Sequence, residues 1–273
     1  MTAMPCLRFV ACVSLLLLAG CASSPGAPPA NGADVRIERV DREFDLDAGI
    51  ARVAIDNPWG EINVRGRDER EVGLHAVIQR LPPRFAKAEI RSRRDGDTLR
   101  IEIVLPETAG DATAPGRVDV AVYVPGDMPL SLATRSGRIA AKRRAGAIEA
   151  RTDSGDIEAS SLARLDIKTR SGSIRAIAIG RRWQGGSEIS SDSGHIIALV
   201  PTFGDVALDA RTGGALTTGF GLSVHALPGG GHEAHARYGA GTSPLRVFSQ
   251  SGEIVLEQLI LLGDDTELPE DDD

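Results

Sequence analysis

Aromatic residues make up only 4% of this chain, and no cysteine follows position 21. The first scarcity argues against a thick core built on Phe, Tyr and Trp. The second removes disulfides, zinc-thiolate centres and cysteine nucleophiles from everything downstream, since Cys6, Cys12 and Cys21 are the only three. The mostly apolar run from Phe9 to Leu18 is ten residues long, where a helix crossing a bilayer needs ~20. After it, no 3.6-residue periodicity runs far enough to suggest a large helix. Catalytic motifs are lacking too. There is no Gly-x-Ser-x-Gly elbow, phosphate loop, zinc-protease motif or calcium nonapeptide.

What stands at the N-terminus reads as a lipoprotein signal over residues 1–20. Arg8 precedes the apolar run, which ends in Leu18-Ala19-Gly20-Cys21. Small residues before a cysteine suit a peptidase that cleaves next to a diacylglyceryl-modified thiol, so Cys21 is the expected lipidation site. The alternative is an ordinary secretory peptide in which Cys21 is incidental. Ala22 in place of Asp follows the outer-membrane sorting pattern of enterobacterial lipoproteins. Residues 21–33, small and polar, read as a tether. The expected address is the cell envelope, anchored to the outer membrane through lipid.

The formal net charge of -7 is concentrated at the other end. Asp264 to Asp273 holds seven acidic residues and no basic one, so the remainder is near balance. That leaves no basic footprint for nucleic acid. Residues 263–273 read as a solvated acidic tail, with calcium binding as the alternative.

The mature chain carries repeats. Ser136-Gly-Arg-Ile, Ser154-Gly-Asp-Ile, Ser171-Gly-Ser-Ile, Ser193-Gly-His-Ile, Thr212-Gly-Gly-Ala-Leu and Ser251-Gly-Glu-Ile recur over residues 135–262. From Gly137 the glycines step by 18, 17 and 22 residues to Gly155, Gly172 and Gly194, then by 20 to Gly214 and by 38 to Gly252. Half-steps at Gly146 and Gly204 divide each unit into two short strands with a turn after each. Ile157 and Ala159 alternate with Asp156 and Glu158, the period-two pattern of a half-buried strand. Glycine at the turn permits a positive φ or a close backbone approach, and the serine before it is expected to close the turn.

One such unit cannot bury its apolar face, but stacked units can. The expected fold is therefore all-β: a single-domain β-solenoid, β-helix-like, of short stacked strands. Residues 34–134 are strand-like but less regular, with Asn57-Pro-Trp-Gly60 as an early copy of the turn. They read as capping strands of the solenoid, or alternatively as a separate β-domain. Gly60, Gly137, Gly155, Gly172, Gly194, Gly214 and Gly252 are the expected repeat turns.

The repeat surface offers few candidates for chemistry. Stacked in phase, the position after the glycine presents Arg138, Asp156, Ser173, His195, Gly214 and Glu253, a row of mixed charge without an acidic cluster. His225, His232 and His235 lie around a glycine-rich stretch; His-x-x-His with Glu233 is a metal-ligand spacing, but residues three apart on a strand face opposite ways. Arg181-Arg-Trp183 falls in the longest gap between neighbouring repeats and is expected to protrude as a contact loop. The expectation is no catalytic residue, no cofactor and no metal.

With the Ser-Gly-Asp-Ile repeats and the Val124-Pro-Gly-Asp-Met-Pro-Leu130 segment leading into them, the chain resembles the bacterial putative adhesin family of β-strand-repeat domains, over roughly residues 50 to 258. The resemblance implies a β-helix-like solenoid and an envelope or surface address, and it brings no catalytic residues. The functional expectation is a membrane-anchored envelope lipoprotein used for binding or scaffolding, with a protein or glycan ligand. The alternatives are a carbohydrate-active β-helix enzyme acting on an envelope polysaccharide, and an accessory protein in envelope-stress signalling.

Overall fold

The computed structural model describes residues 36–80, 88–104 and 116–260. Cys21, the tether, residues 81–87 and 105–115, and the acidic tail lie outside the described residues. The chain divides into Met1–Ala33 and Asp34–Asp273, and only the second unit is described below.

Its strands run in chain order. The early ones are β1 (Arg36–Asp45), β2 (Arg52–Asp56), β3 (Ile62–Arg67), β4 (Glu71–Arg80), β5 (Glu89–Asp95), β6 (Thr98–Val104) and β7 (Gly116–Pro125). The regular middle comprises β8 (Leu130–Ala133), β9 (Ile139–Arg144), β10 (Ile148–Thr152), β11 (Ile157–Ser161), β12 (Leu165–Thr169), β13 (Ile174–Ala178), β14 (Ser187–Ser191) and β15 (Ile196–Pro201). Then come β16 (Val206–Thr212), β17 (Leu216–Thr218), β18 (His225–Ala226), β19 (His232–Arg237), β20 (Ser243–Ser249) and β21 (Ile254–Leu259). Among the described residues there is no helix.

The strands fall into a 10-stranded and an 11-stranded sheet. From β8 to β15 the chain visits them alternately, so two consecutive strands make one coil. Successive coils pair in parallel and in register: Ile139, Ile157, Ile174 and Ile196 form one row of the first sheet. Leu130, Ile148 and Leu165 form a row of the second. All seven are essentially buried, and each contributes about 1.5–3 kcal/mol by leaving water. The next inward position of the first sheet holds Ala141, Ala159, Ala176 and Ala198, small enough for the facing sheet to approach. A thin core of this kind explains why so few aromatics suffice.

Coil order departs from chain order at both ends. In sequence, β16–β17 follows β14–β15, and the expected solenoid stacks them directly. The structure instead places the last coil, β20–β21, between them: Ser187 pairs with Leu245 and Leu245 with Leu208, while Ile196 pairs with Ile254 and Ile254 with Leu216. The 38-residue step from Gly214 to Gly252 thus runs out through β17, β18 and β19 before the chain returns as β20 to fill the gap. At the other end, β2–β3 lies between β6–β7 and β8–β9. Every coil has the same inward pattern, so alternation alone does not specify which coil neighbours which.

Antiparallel strands finish the stack. β4 and β1 extend the first sheet beyond β7, β5 extends the second beyond β6, and β19 and β18 extend the second beyond β16. The outer strands β1 and β5 carry charges along most of their length, whereas β17 and β18 are only three and two residues long. Charge and shortness both discourage pairing with another chain.

A shift of register in the β9–β11 pairing, with Arg143 at φ 52°, turns Arg144 inward. Its guanidinium is buried and donates to the carbonyls of Val124, at 3.3 Å, and Pro125. Burial pulls its pKa down to about 10. The contact secures the end of β7, where the chain leaves the outer coil for β8.

Candidate functional site

The repeat glycines lie one above another at one edge of the stack. A Cβ on Gly155 would overlap the carbonyl oxygen of Gly137; Gly172 stands in the same relation to Gly155, Gly194 to Gly172, and Gly252 to Gly194. Gly137 meets Gly60 in this way, Gly60 meets Val118, and Gly214 crowds the backbone of Gly252. None of these seven has a positive φ. Close approach, rather than left-handed backbone, is what requires glycine here.

The turn is closed by a residue that sequence reasoning passed over. The expected closer was the serine before the glycine, but Ser171, Ser193 and Ser251 instead donate outward to carbonyls of the neighbouring coil. The closing hydroxyl stands three residues before the glycine. Thr134, Thr152, Thr169, Ser191 and Ser249 accept from the amides of Gly137, Gly155, Gly172, Gly194 and Gly252 at 2.7–3.1 Å. Thr134 and Thr169 also donate to the glycine carbonyl of an adjacent coil. In the Gly60 turn Asn57 takes this place, its amide reaching Val118 and Glu61 carbonyls at 2.7 and 3.1 Å. The Thr212 turn is one residue shorter, with its hydroxyl accepting from Gly214 at 2.9 Å.

The post-glycine row is spent on contacts between coils. Arg138 pairs with Glu158, Asp156 accepts from the Ser173 amide at 2.8 Å, and His195 stands 3.3 Å from Glu253. Gly214 does not belong to it, because the pairing of Leu216 with Ile254 aligns Gly214 with Gly252 itself. For Glu158 burial opposes the charge, but Arg138 and Lys142 outweigh it and hold the carboxyl below its usual range.

The histidines do not converge. His232 bonds through Nδ1 to the Gly214 carbonyl at 2.8 Å, whereas His235 lies 3.6 Å from both Asp209 and Glu233. His225 is exposed on β18. Among the described residues no group of three or more His, Cys, Asp and Glu is placed to hold a metal ion.

Trp183 corrects an expectation. It is 5% exposed rather than protruding; its amide donates to Ser243 Oγ at 3.0 Å and its indole to the Pro244 carbonyl at 3.3 Å. A ring of this size buries more apolar area inside than it could offer a partner. Only its neighbours remain outside: Arg181 lies over the Phe203 ring and Arg182 pairs with Asp205.

The surface richest in uncommitted groups is the outer face of the second sheet. Parallel register sets two rows across it. One runs Glu149, Asp166, Glu188, Arg246, Asp209, and the other runs Arg151, Lys168, Ser190, Phe248, Arg211. Phe248 is 45% exposed and neighbours the covered Ser190. Lys168, Arg211 and Arg246 have no ion-pair partner among the described residues, whereas Arg151 is held by Glu149 at 2.9 Å and Glu149 also reaches Arg52 at 3.5 Å. Around Phe248 lies an open depression of about 450 Å³, lined by Glu188, Asp209, Arg211, Arg246 and Val247. Sequence reasoning missed this face because its residues are scattered from 149 to 248 and meet only through the inserted β20.

No family model matches the sequence, and no curated protein matches it. Among solved structures, the chain is similar to a putative cell adhesion protein from Clostridium sporogenes, at 13% identity, covering 82% of this chain and 100% of that one, with a TM-score of 0.49. It is also similar to a putative adhesin from Bacteroides fragilis, at 11% identity over 81% and 97% of the two chains, TM-score 0.35. A putative adhesin from Parabacteroides merdae aligns at 9% identity over 84% and 98%, TM-score 0.33.

Proposed function

We propose that this chain is a lipid-anchored protein of the cell envelope that makes contact through its strand rows and carries out no catalysis. The observation that supports this reading is Phe248, exposed on an open sheet with three cations that have no ion-pair partner among the described residues. Aromatic rings and arginines are enriched at contact surfaces relative to the rest of a protein's exterior. Attachment rests on Leu18-Ala19-Gly20-Cys21, and the outer-membrane address rests on Ala22. The ligand is a component of the envelope, glycan or protein, and not nucleic acid.

A second reading has one observation in its favour. Glu149, Asp166 and Glu188 occupy adjacent strands in register, at a strand spacing of ~4.8 Å. Glycosidase carboxyls stand ~5 to 9.5 Å apart, so the spacing is compatible with polysaccharide cleavage. Against it, the row lies on an open face, and Glu149 is bound to two arginines.

Incubating the full-length protein with isolated envelope material separates the two. Co-sedimentation without release of soluble fragments is the expected result. Fragment release abolished by Asp166→Asn would overturn the contact reading. Attachment is tested separately, since Cys21→Ser should stop incorporation of labelled fatty acid.

A further inference from the structure

The outer face of the second sheet has a chemistry more specific than contact in general. We propose that it binds a linear acidic polysaccharide, a polymer of uronic-acid type, laid across the strands with a sugar ring on Phe248. This rests on the contact reading above and names its ligand class.

Three features of the face carry the inference. First, the row through Lys168, Ser190, Phe248 and Arg211 places Arg211 next to an exposed ring and Lys168 two strands away on its other side, neither ion-paired among the described residues. Arg246 stands on the same face, two residues before Phe248. Cations on this row complement the charges of an anionic polymer, and the ring offers an apolar platform to the C–H face of a sugar. Second, the neighbouring row contributes Glu149, Asp166, Glu188 and Asp209, with Arg246 between the last two. Carboxylates accept hydrogen bonds from sugar hydroxyls but repel a polyphosphate backbone. A ligand with anions along one edge and hydroxyls along the other satisfies both rows; a nucleic acid or an anionic lipid surface satisfies only one. Third, parallel coils repeat the same geometry at ~4.8 Å intervals, and a repeating array suits a repeating ligand.

The inserted coil is what assembles the patch. Without β20 between β14 and β16, Phe248 and Arg246 would not lie beside Ser190 and Glu188 on one side and Arg211 and Asp209 on the other.

The test uses the full-length protein with polygalacturonate as the acidic probe, neutral dextran as its uncharged counterpart, and a single-stranded oligonucleotide as the polyphosphate. The expected result is binding of polygalacturonate that weakens with salt, without comparable binding of the other two. Phe248→Ala and Arg211→Ala should each weaken it by about tenfold or more, while Arg175→Ala on the other sheet leaves it unchanged. These side chains are exposed, so thermal melting should confirm intact folding in each variant. Absence of polygalacturonate binding, insensitivity to Phe248→Ala, or equal binding of the oligonucleotide would overturn the proposal. Reducing ends are counted in the same incubations. Their appearance would overturn the non-catalytic reading instead, so the two failures are distinguishable.

Discussion

The hydroxyl of Thr152 accepts the amide hydrogen of Gly155 at 3.0 Å and donates to the carbonyl of Arg135, in the neighbouring coil, at 3.3 Å. One buried side chain thus closes its own turn and binds the adjacent one. Thr152→Val keeps the shape and removes both bonds, and should cost about 1–3 kcal/mol. Thr152→Ser retains the hydroxyl and should cost less. Urea unfolding of the two variants checks the order; a serine variant that loses as much as the valine variant would mean that the two bonds matter no more than packing of the methyl group.

Gly155 itself has no room for a β-carbon. Gly155→Ala forces one into the carbonyl of Gly137 and should cost about 3 kcal/mol or more. Gly126→Ala is the matched control, because nothing lies within 4 Å of its added Cβ and its φ is not positive. It should change stability by less than about 0.5 kcal/mol. Comparable losses in both would mean the glycine row is not a line of close approach.

Trp183 behaves as core. Trp183→Ala should destabilise the protein by about 3–5 kcal/mol, through loss of burial and of the indole's bond to the Pro244 carbonyl at the start of the inserted coil. A variant with unchanged thermal melting would restore the exposed-loop expectation.

Asp205 joins two loops. It accepts from the Ala240 amide at 2.8 Å and pairs with Arg182, and these two contacts hold its carboxyl below the usual range. A folded-state pKa below the unfolded one gives stability that is fully present above the unfolded value, near ~3.9. It is lost as pH falls through the depressed folded value. Asp205→Asn should therefore melt below the wild type at neutral pH and converge with it in acid, once the pH has fallen through the depressed folded value. Parallel melting curves across that range would contradict the pairing.

The inward pattern was readable because strand alternation is local: Ile157 and Ala159, or Leu165 and Ile167, declare their face without knowledge of a partner. The closing hydroxyl was readable by the same parity. Thr152 follows Ile148 and Ala150 at even spacing and so points inward, whereas Ser154 lies beyond the strand, in the turn. The more conspicuous Ser-Gly pair drew attention from it. Coil order was not readable. β16–β17 and β20–β21 have interchangeable apolar patterns, and the choice between them depends on the β18–β19 excursion and on Trp183 docking against Ser243. The contact face inherits that limit, since Phe248 comes to stand between Ser190 and Arg211 only after the order is settled.

That order is therefore the point on which fold and proposed face both depend. It can be measured with cysteine pairs placed in a chain whose Cys6, Cys12 and Cys21 are changed to serine. Glu188→Cys with Arg246→Cys joins register partners, at the ~4.8 Å strand spacing that a disulfide can bridge. Glu188→Cys with Asp209→Cys lies two strands apart, about 9.6 Å, beyond its reach. Oxidation should crosslink the first pair and leave the second free. Efficient crosslinking of the second pair, with none in the first, would put β14 beside β16 and contradict both the inserted coil and the face built on it.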